Sequence, residues 1–268
     1  MASIRKESIL GLESKIEIAK VVIRFAFLQF RKPVIVWSAG KDSTVVLGIV
    51  KRLVEEEGLK MPQTLFIDHG DHYPETLEML DNISQEWNIR VIKASNKDVL
   101  ENLREGKIRI SDLNEANISE IKRIGYSGES FEYSLETEVG NHLLKTVALK
   151  NAIKTYGFDA LLTGVRWDEN SARSNEVFLS PRSDPDHIRV HPILTFLERD
   201  IWKVIFEWKL PIHPKYREGY RSIDGIHDSK KISNLPAWEQ NLDETSERAG
   251  RSQDKEGMME KLRSFGYM

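Results

Sequence analysis

The chain of 268 residues contains no cysteine. Disulfides, thiolate metal sites, iron–sulfur clusters and a cysteine nucleophile are therefore closed to it. It has no surplus of positive charge either: 39 Lys and Arg stand against 42 Asp and Glu, a formal net charge of −3. A protein that binds a nucleic-acid backbone needs a Lys/Arg excess over a whole face, so nucleic acid is not an expected partner. Long apolar runs are missing as well. The longest, Val21 to Phe30, is broken by Arg24 and Gln29 and is too short to span a bilayer. The stretch from Met1 to Ile18 scatters charges where a signal peptide would be apolar. A cytoplasmic protein without membrane association is the expectation. Internal repeats and low-complexity tracts are absent from the sequence.

What is present is a soluble, globular balance: 40% hydrophobic and 30% charged residues, enough to bury a full core without staples. Helical spacing runs from Ser8 to Phe30 through Ile9, Leu12, Ile16, Ala19, Ile23 and Phe27, and Pro33 ends it. An apolar run, Val34 to Trp37, then predicts a buried strand, and helical periodicity resumes from Asp42 to Glu57 before Gly58. The cycle continues with a strand over 64–68, a helix over 74–87, a strand over 89–92, a helix over 139–156 and a strand over 159–163. Such alternation implies a doubly wound α/β fold whose mostly parallel sheet, expected to have five strands, is covered on both faces. Ligands of such sheets bind beyond the carboxyl ends of the strands. Residues 96–136 are polar with poor strand signals and predict an insertion over the site. From Lys215 onward only 253–265 reads as helical, and the remainder is expected to be extended.

The sharpest chemical feature is Ser38-Ala39-Gly40-Lys41-Asp42-Ser43-Thr44, set between strand and helix. Small residues let the backbone turn tightly and present N–H groups, and the helix adds the positive end of its dipole. Lys41 contributes a full charge, and Ser38 and Ser43 contribute hydroxyls, so a polyphosphate fits. This is not a Walker A loop: Ile35 stands where that motif needs glycine, and Asp42 follows the lysine. Asp68-His69-Gly70-Asp71-His72 can be read as a metal cluster, or as a strand-end loop with two partly exposed histidines. Lys145 reads as an anion ligand or a solvated helix residue, and His191 as a core histidine or a ligand contact. Trp202 and Trp208 fall on one amphipathic helix, where a partner surface is conceivable.

The loop resembles the pyrophosphate-binding loop of the adenine-nucleotide α-hydrolase superfamily, within the branch of sulfonucleotide (PAPS) reductases and the small subunit of heteromeric ATP sulfurylase. Further segments carry the resemblance: Phe66-Ile67-Asp68 with Tyr73-Pro74-Glu75-Thr76, Lys145-Thr146, Gly164-Val165-Arg166-Trp167-Asp168-Glu169 with Arg173, and Gly219-Tyr220-Arg221-Ser222. Thr245 to Arg251 and the ending Gly266-Tyr267-Met268 are similar to the sulfurylase subunit's tail. The reductases of this branch attack sulfur with a cysteine, which this chain lacks.

The resemblance implies a nucleotide-binding domain over residues 1–214 and a C-terminal extension over 215–268. It implies adenylyl transfer from ATP, with Mg²⁺ as cofactor and release of pyrophosphate, sulfate being the foremost acceptor. FMN as acceptor and a regulatory nucleotide-binding module without turnover are the alternatives. The nucleotide would be held by Ser38, Ala39, Gly40, Lys41, Asp42, Ser43 and Thr44, with Asp68, Lys145, Gly164, Arg248 and Arg251. Lys41, Asp42, Arg166 and Arg173 would carry catalysis, Asp42 would hold the metal, and Arg166 and Arg173 would orient the acceptor. A GTPase partner subunit and homo-oligomerisation are further expectations.

Overall fold

The computed structural model describes residues 10–169, 173–245 and 247. Three segments lead into the site. Helix α1 (Leu12–Gln29) precedes strand β1 (Pro33–Val36), and helix α2 (Lys41–Glu57) follows it. Gly58 ends α2 in the left-handed conformation, φ 64°, which only glycine adopts without steric cost. Strand β2 (Gln63–Ile67), helix α3 (Pro74–Glu86) and strand β3 (Val91–Ala94) form the next unit. Pro74 occupies the first turn of α3, where its missing N–H costs nothing.

The insertion begins with helix α4 (Lys97–Glu101). Strands β4 (Leu103–Arg104), β5 (Lys107–Arg109) and β6 (Ser130–Glu132) form a separate antiparallel sheet with helix α5 (Glu115–Arg123) between β5 and β6. The weak strand signal there reflects strands of two or three residues. They are held by a small core of their own, including Ile108, Ile121 and Phe131. Helix α6 (Glu138–Asn141) then passes through a π-helical turn (His142–Val147) into helix α7 (Ala148–Tyr156). Strand β7 (Ala160–Leu162), strands β8 (Leu179–Arg182) and β9 (His187–Val190), and helix α8 (Glu198–Glu207) complete the domain.

The main sheet has the order β3-β2-β1-β7-β9-β8. All pairings are parallel except β8 with β9. It therefore has six strands, not the expected five. The additional strand, β8, contains Pro181, which a sequence reading assigns to a loop. Proline is tolerated here because β8 is an edge strand, with only one neighbour to pair. Side chains alternate across the sheet. Ile35 joins the core shared with α1, α2 and α8, whereas Val34 and Val36 pack with Leu149 and Ile153 of α7. The chain runs outward from β1 to β3 and returns to β7 on the other side of β1, so the switch point lies between β1 and β7.

An ion network ties the insertion to α7 and to the β8–β9 turn. Glu120 accepts from Lys150 (2.5 Å) and pairs with His142 (2.8 Å), and Lys150 also donates to Asp184 (2.6 Å). Burial would raise the Glu120 pKa, but His142 and Lys150 outweigh it and hold the carboxyl below the ordinary glutamate range. Its contribution to stability is therefore full above that range and is lost as pH falls through the depressed value. Glu120→Gln is expected to cost about 1–3 kcal/mol at neutral pH, with the gap from wild type closing in acid. Thermal melts against pH measure this.

Beyond α8 the described chain has short 3-10 turns, at Pro214–Tyr216 and Ala237–Glu239, and the helix expected over 253–265 lies outside the described residues. Tyr216 and Ala237 are buried in the main core. Trp202 is not on a surface: it packs against Tyr216 (5.2 Å) and Trp238 (5.4 Å). Trp208 lies past the end of α8 and stacks on Arg52 at 3.7 Å. Among the described residues no helix is long and apolar enough to cross a membrane.

Candidate active site

The loop between β1 and α2 is built by its own short side chains. The Ser38 N–H donates to Ser43 Oγ (3.2 Å), which in turn donates to the Gly40 carbonyl (3.0 Å), and Ser38 Oγ lies 3.1 Å from Ser43 Oγ. Thr44 is buried and accepts from Trp37 Nε1 (3.0 Å), pinning the helix start to the strand end. Ala39 sits at φ 60°, so the turn is paid for by a left-handed non-glycine residue. The helix that follows begins at Lys41, and its first N–H groups have no intrahelical partners.

Gly164, just past β7, is where the second wall meets this loop. A Cβ there would stand 2.7 Å from Ser43 N and 2.8 Å from the Asp42 carbonyl carbon, both backbone atoms. Neither can swing aside, so Gly164→Ala must displace the loop. The variant is expected to lose at least about tenfold in nucleotide affinity while remaining folded, readable by calorimetry beside circular dichroism.

Charges converge behind the loop. Lys41 is buried, and its ammonium meets Glu247, the Arg221 carbonyl (3.3 Å), Asp42 (3.4 Å) and Glu198 (3.8 Å). Burial opposes its charge, but Glu247 and Glu198 outweigh that and hold its pKa above the ordinary lysine value. Arg166 is fully buried and spends its fork on three carboxylates: Asp168 (2.8 Å), Glu247 (2.5 Å) and Asp42. Its positive charge is likewise held against desolvation by Asp168 and Glu247. Glu198 accepts from Arg221 Nε and Nη2, at 3.0 and 2.7 Å. Burial and the neighbouring Glu247 push the Glu198 carboxyl upward. Arg221 in turn donates to the Leu242 carbonyl (3.1 Å) and to Thr245, anchoring the tail that delivers Glu247.

A cleft opens at the carboxyl ends of β1, β2 and β7. Ser38, Gly40, Lys41, Asp42, Ser43, Lys145, Gly164 and Arg173 all line it. Ala39, Thr44, Asp68 and Arg166 are not in the lining; Arg166 is joined to it through its bonds to Asp42 and Glu247. Arg248 and Arg251 lie outside the described residues. Lys145, on the π-helical turn, is ion-paired to Asp224 at 2.5 Å, with 13% of its side chain exposed. It is not a solvated helix residue. Val36, Phe66, Ile67 and Leu149 add apolar lining to the same cleft.

The two histidines after β2 are not the partly exposed pair the sequence suggests. His69 is buried, His72 has 6% of its side chain exposed, and their rings pack at a tilt of 34° with centroids 3.8 Å apart. Burial pushes the His69 pKa down to about 4, so it is neutral at pH 7. Among the described residues no group of three His, Cys, Asp or Glu side chains is placed to hold a metal ion. His191 is a core histidine bonded to Thr163 Oγ1 at 2.6 Å.

Residues 32–231 match the model of the phosphoadenosine phosphosulfate reductase domain. The chain belongs to that family. Among relatives of this PAPS reductase-like chain is sulfate adenylyltransferase subunit 2 of Rhizobium meliloti. It is 27% identical over 225 residues, 75% of this chain and 66% of the relative. The chain thus spans slightly under two thirds of that relative's length. The protein of the same name from another Rhizobium species is 26% identical, covering 92% of this chain and 94% of its own. In fold, the chain is similar to a PAPS reductase from Candida auris, with TM-score 0.56 and 18% identity over 84% of this chain and 98% of that one. It is also similar to FMN adenylyltransferase of Candida glabrata, with TM-score 0.62 and 16% identity over 94% and 91%.

Glu198 and Tyr216 lie outside the segments that carry the resemblance, and Asp168 and Glu247 lie inside them but are not among the expected site residues. Glu247 stands beside the conspicuous arginine of Thr245-Ser246-Glu247-Arg248, and nothing local marks an acidic residue as the partner of a loop lysine 206 positions away. Tyr216, whose hydroxyl accepts from the Lys41 N–H at 3.0 Å, reads as an ordinary core aromatic.

Proposed function

We propose that this chain transfers the adenylyl group of ATP to sulfate, releasing pyrophosphate and giving adenosine 5'-phosphosulfate. The observation that carries the reading is the convergence of Lys41, Lys145 and Arg173 with the Ser38–Ser43 loop in one cleft, beside an apolar wall of Phe66, Ile67 and Leu149. The cationic end suits the polyphosphate and the apolar wall suits a purine. The relatives named sulfate adenylyltransferase subunit 2 support the choice of acceptor and, by the word subunit, a partner chain.

In this reading a sulfate oxygen attacks the α-phosphorus in line and the bond to the pyrophosphate breaks. Sulfate is already an anion at neutral pH, so no general base is needed. The protein's contribution is positioning and charge neutralisation. Lys41 and the loop N–H groups would hold the leaving pyrophosphate, and Arg173 would orient the acceptor. Mg²⁺ suits such chemistry because it binds polyphosphate oxygens together with one or two carboxylates. Asp42 would hold it through water, since its two oxygens already face Arg166 and Lys41.

The deciding assay is isotope exchange between ATP and labelled pyrophosphate with a panel of oxyanions and FMN. Sulfate-dependent exchange is expected. Exchange driven by FMN alone would replace the acceptor, and nucleotide binding without exchange would leave a regulatory module. With no thiol in the chain, sulfite release from a sulfonucleotide with thioredoxin as reductant is expected to be nil.

A further inference from the structure

Glu247 is placed as a ligand would be. One carboxylate oxygen meets Lys41 Nζ and the other meets the Arg166 guanidinium at 2.5 Å. The two cations come from different sides of the switch point, Lys41 from the start of α2 and Arg166 from the segment after β7. The carboxylate comes from neither, being delivered by the tail. Its side chain is 6% exposed, yet it lines the cleft, so a molecule in the cleft reaches it.

The ammonium of Lys41 is enclosed: it donates to Glu247 and to the Arg221 carbonyl (3.3 Å), and Asp42 adds an ion pair at 3.4 Å. An incoming oxyanion meets this ammonium in competition with the carboxylates already on it. The Arg221 carbonyl is backbone, and Asp42 belongs to the same helix start and is also held by Arg166. Glu247 is the exchangeable partner. Its neighbour Glu198 lies 3.8 Å from the same ammonium, so two carboxylates crowd one cation.

We propose that Glu247 is a built-in competitor for the oxyanion of the bound ligand: its carboxylate fills the Lys41–Arg166 position in the free protein and leaves when a tetrahedral oxyanion enters. The proposal rests on the adenylyl-transfer reading for the identity of the anion. A phosphate of the nucleotide or pyrophosphate and the acceptor sulfate share the required chemistry.

The test is titration calorimetry of wild type and Glu247→Gln with three probes: ATP with Mg²⁺, pyrophosphate with Mg²⁺, and sulfate. Glutamine keeps the shape and removes the competing charge. Affinity is expected to tighten at least about tenfold for the anion that uses the position. Tightening of ATP and pyrophosphate assigns it to the phosphates, and tightening of sulfate alone assigns it to the acceptor. Affinities unchanged within about twofold, or weakened, for all three probes overturn the proposal. Wild-type binding that Lys41→Ala abolishes and Glu247→Gln leaves unaltered would keep the functional reading and remove only the competitor. Absence of binding in both proteins would remove both readings. Glu247→Asp serves if the glutamine variant does not fold: one methylene shorter, it cannot reach both cations, and the same probes should tighten by a smaller factor.

Discussion

Lys41→Ala is expected to weaken ATP binding by about 10- to 100-fold and to destabilise the folded protein as well. The first effect follows from losing a charge-assisted contact to phosphate, about 1.5–3 kcal/mol. The second follows from the surroundings. Removing the ammonium leaves Glu247, Glu198 and Asp42 facing one another in a buried space, and breaking a buried ion pair from one side costs about 3–5 kcal/mol. The two effects separate in a double variant. Lys41→Ala with Glu247→Gln removes one of the stranded charges and should recover part of the stability, while ATP affinity stays low. Denaturant melts and calorimetry on the four proteins of that cycle give both quantities. Undiminished ATP affinity in Lys41→Ala would detach the loop from nucleotide binding.

Arg166→Lys should lower turnover by about 100-fold or more, and for both substrates together. All of its donor edges go to carboxylates of the protein: Nε to Asp168, one terminal nitrogen to Asp42 and the other to Glu247. A lysine carries one ammonium and cannot replace a planar fork spread over three partners. Asp42 would lose its orientation at the head of α2. Arg173 differs in place, since it lines the cleft directly. Arg173→Lys is therefore expected to raise the acceptor KM more than the ATP KM, whereas Arg166→Lys changes kcat with both KM values shifting alike. Steady-state kinetics with each substrate varied in turn decides the matter. An effect of Arg166→Lys confined to the acceptor KM would contradict the positioning described for Arg166.

The parallel α/β core and the phosphate loop were legible in the chain because both are local patterns. The apolar run of β1 and the period-3.6 spacing of α2 and α3 mark those elements, with β2, to within a few residues, whereas the single helix expected over 139–156 is α6, the π-helical turn and α7 in succession. The order strand, small residues, lysine, helix marks Ser38 to Thr44. The absence of cysteine, equally a property of the sequence alone, excluded thiol chemistry in this chain. The strands of the insertion and the edge strand with Pro181 were not legible, because so few residues carry no period and because their stability comes from partners distant in sequence. The same holds for the electrostatics of the site. That Lys41 is charged follows from its type. That its ammonium is buried and donates to a tail carboxylate and to the Arg221 carbonyl followed only from folding. Local sequence sets backbone preference and the kind of chemistry a side chain offers. Which opposite charge reaches it depends on chain segments more than 150 residues apart being closed onto one sheet end, and no window along the sequence contains both partners.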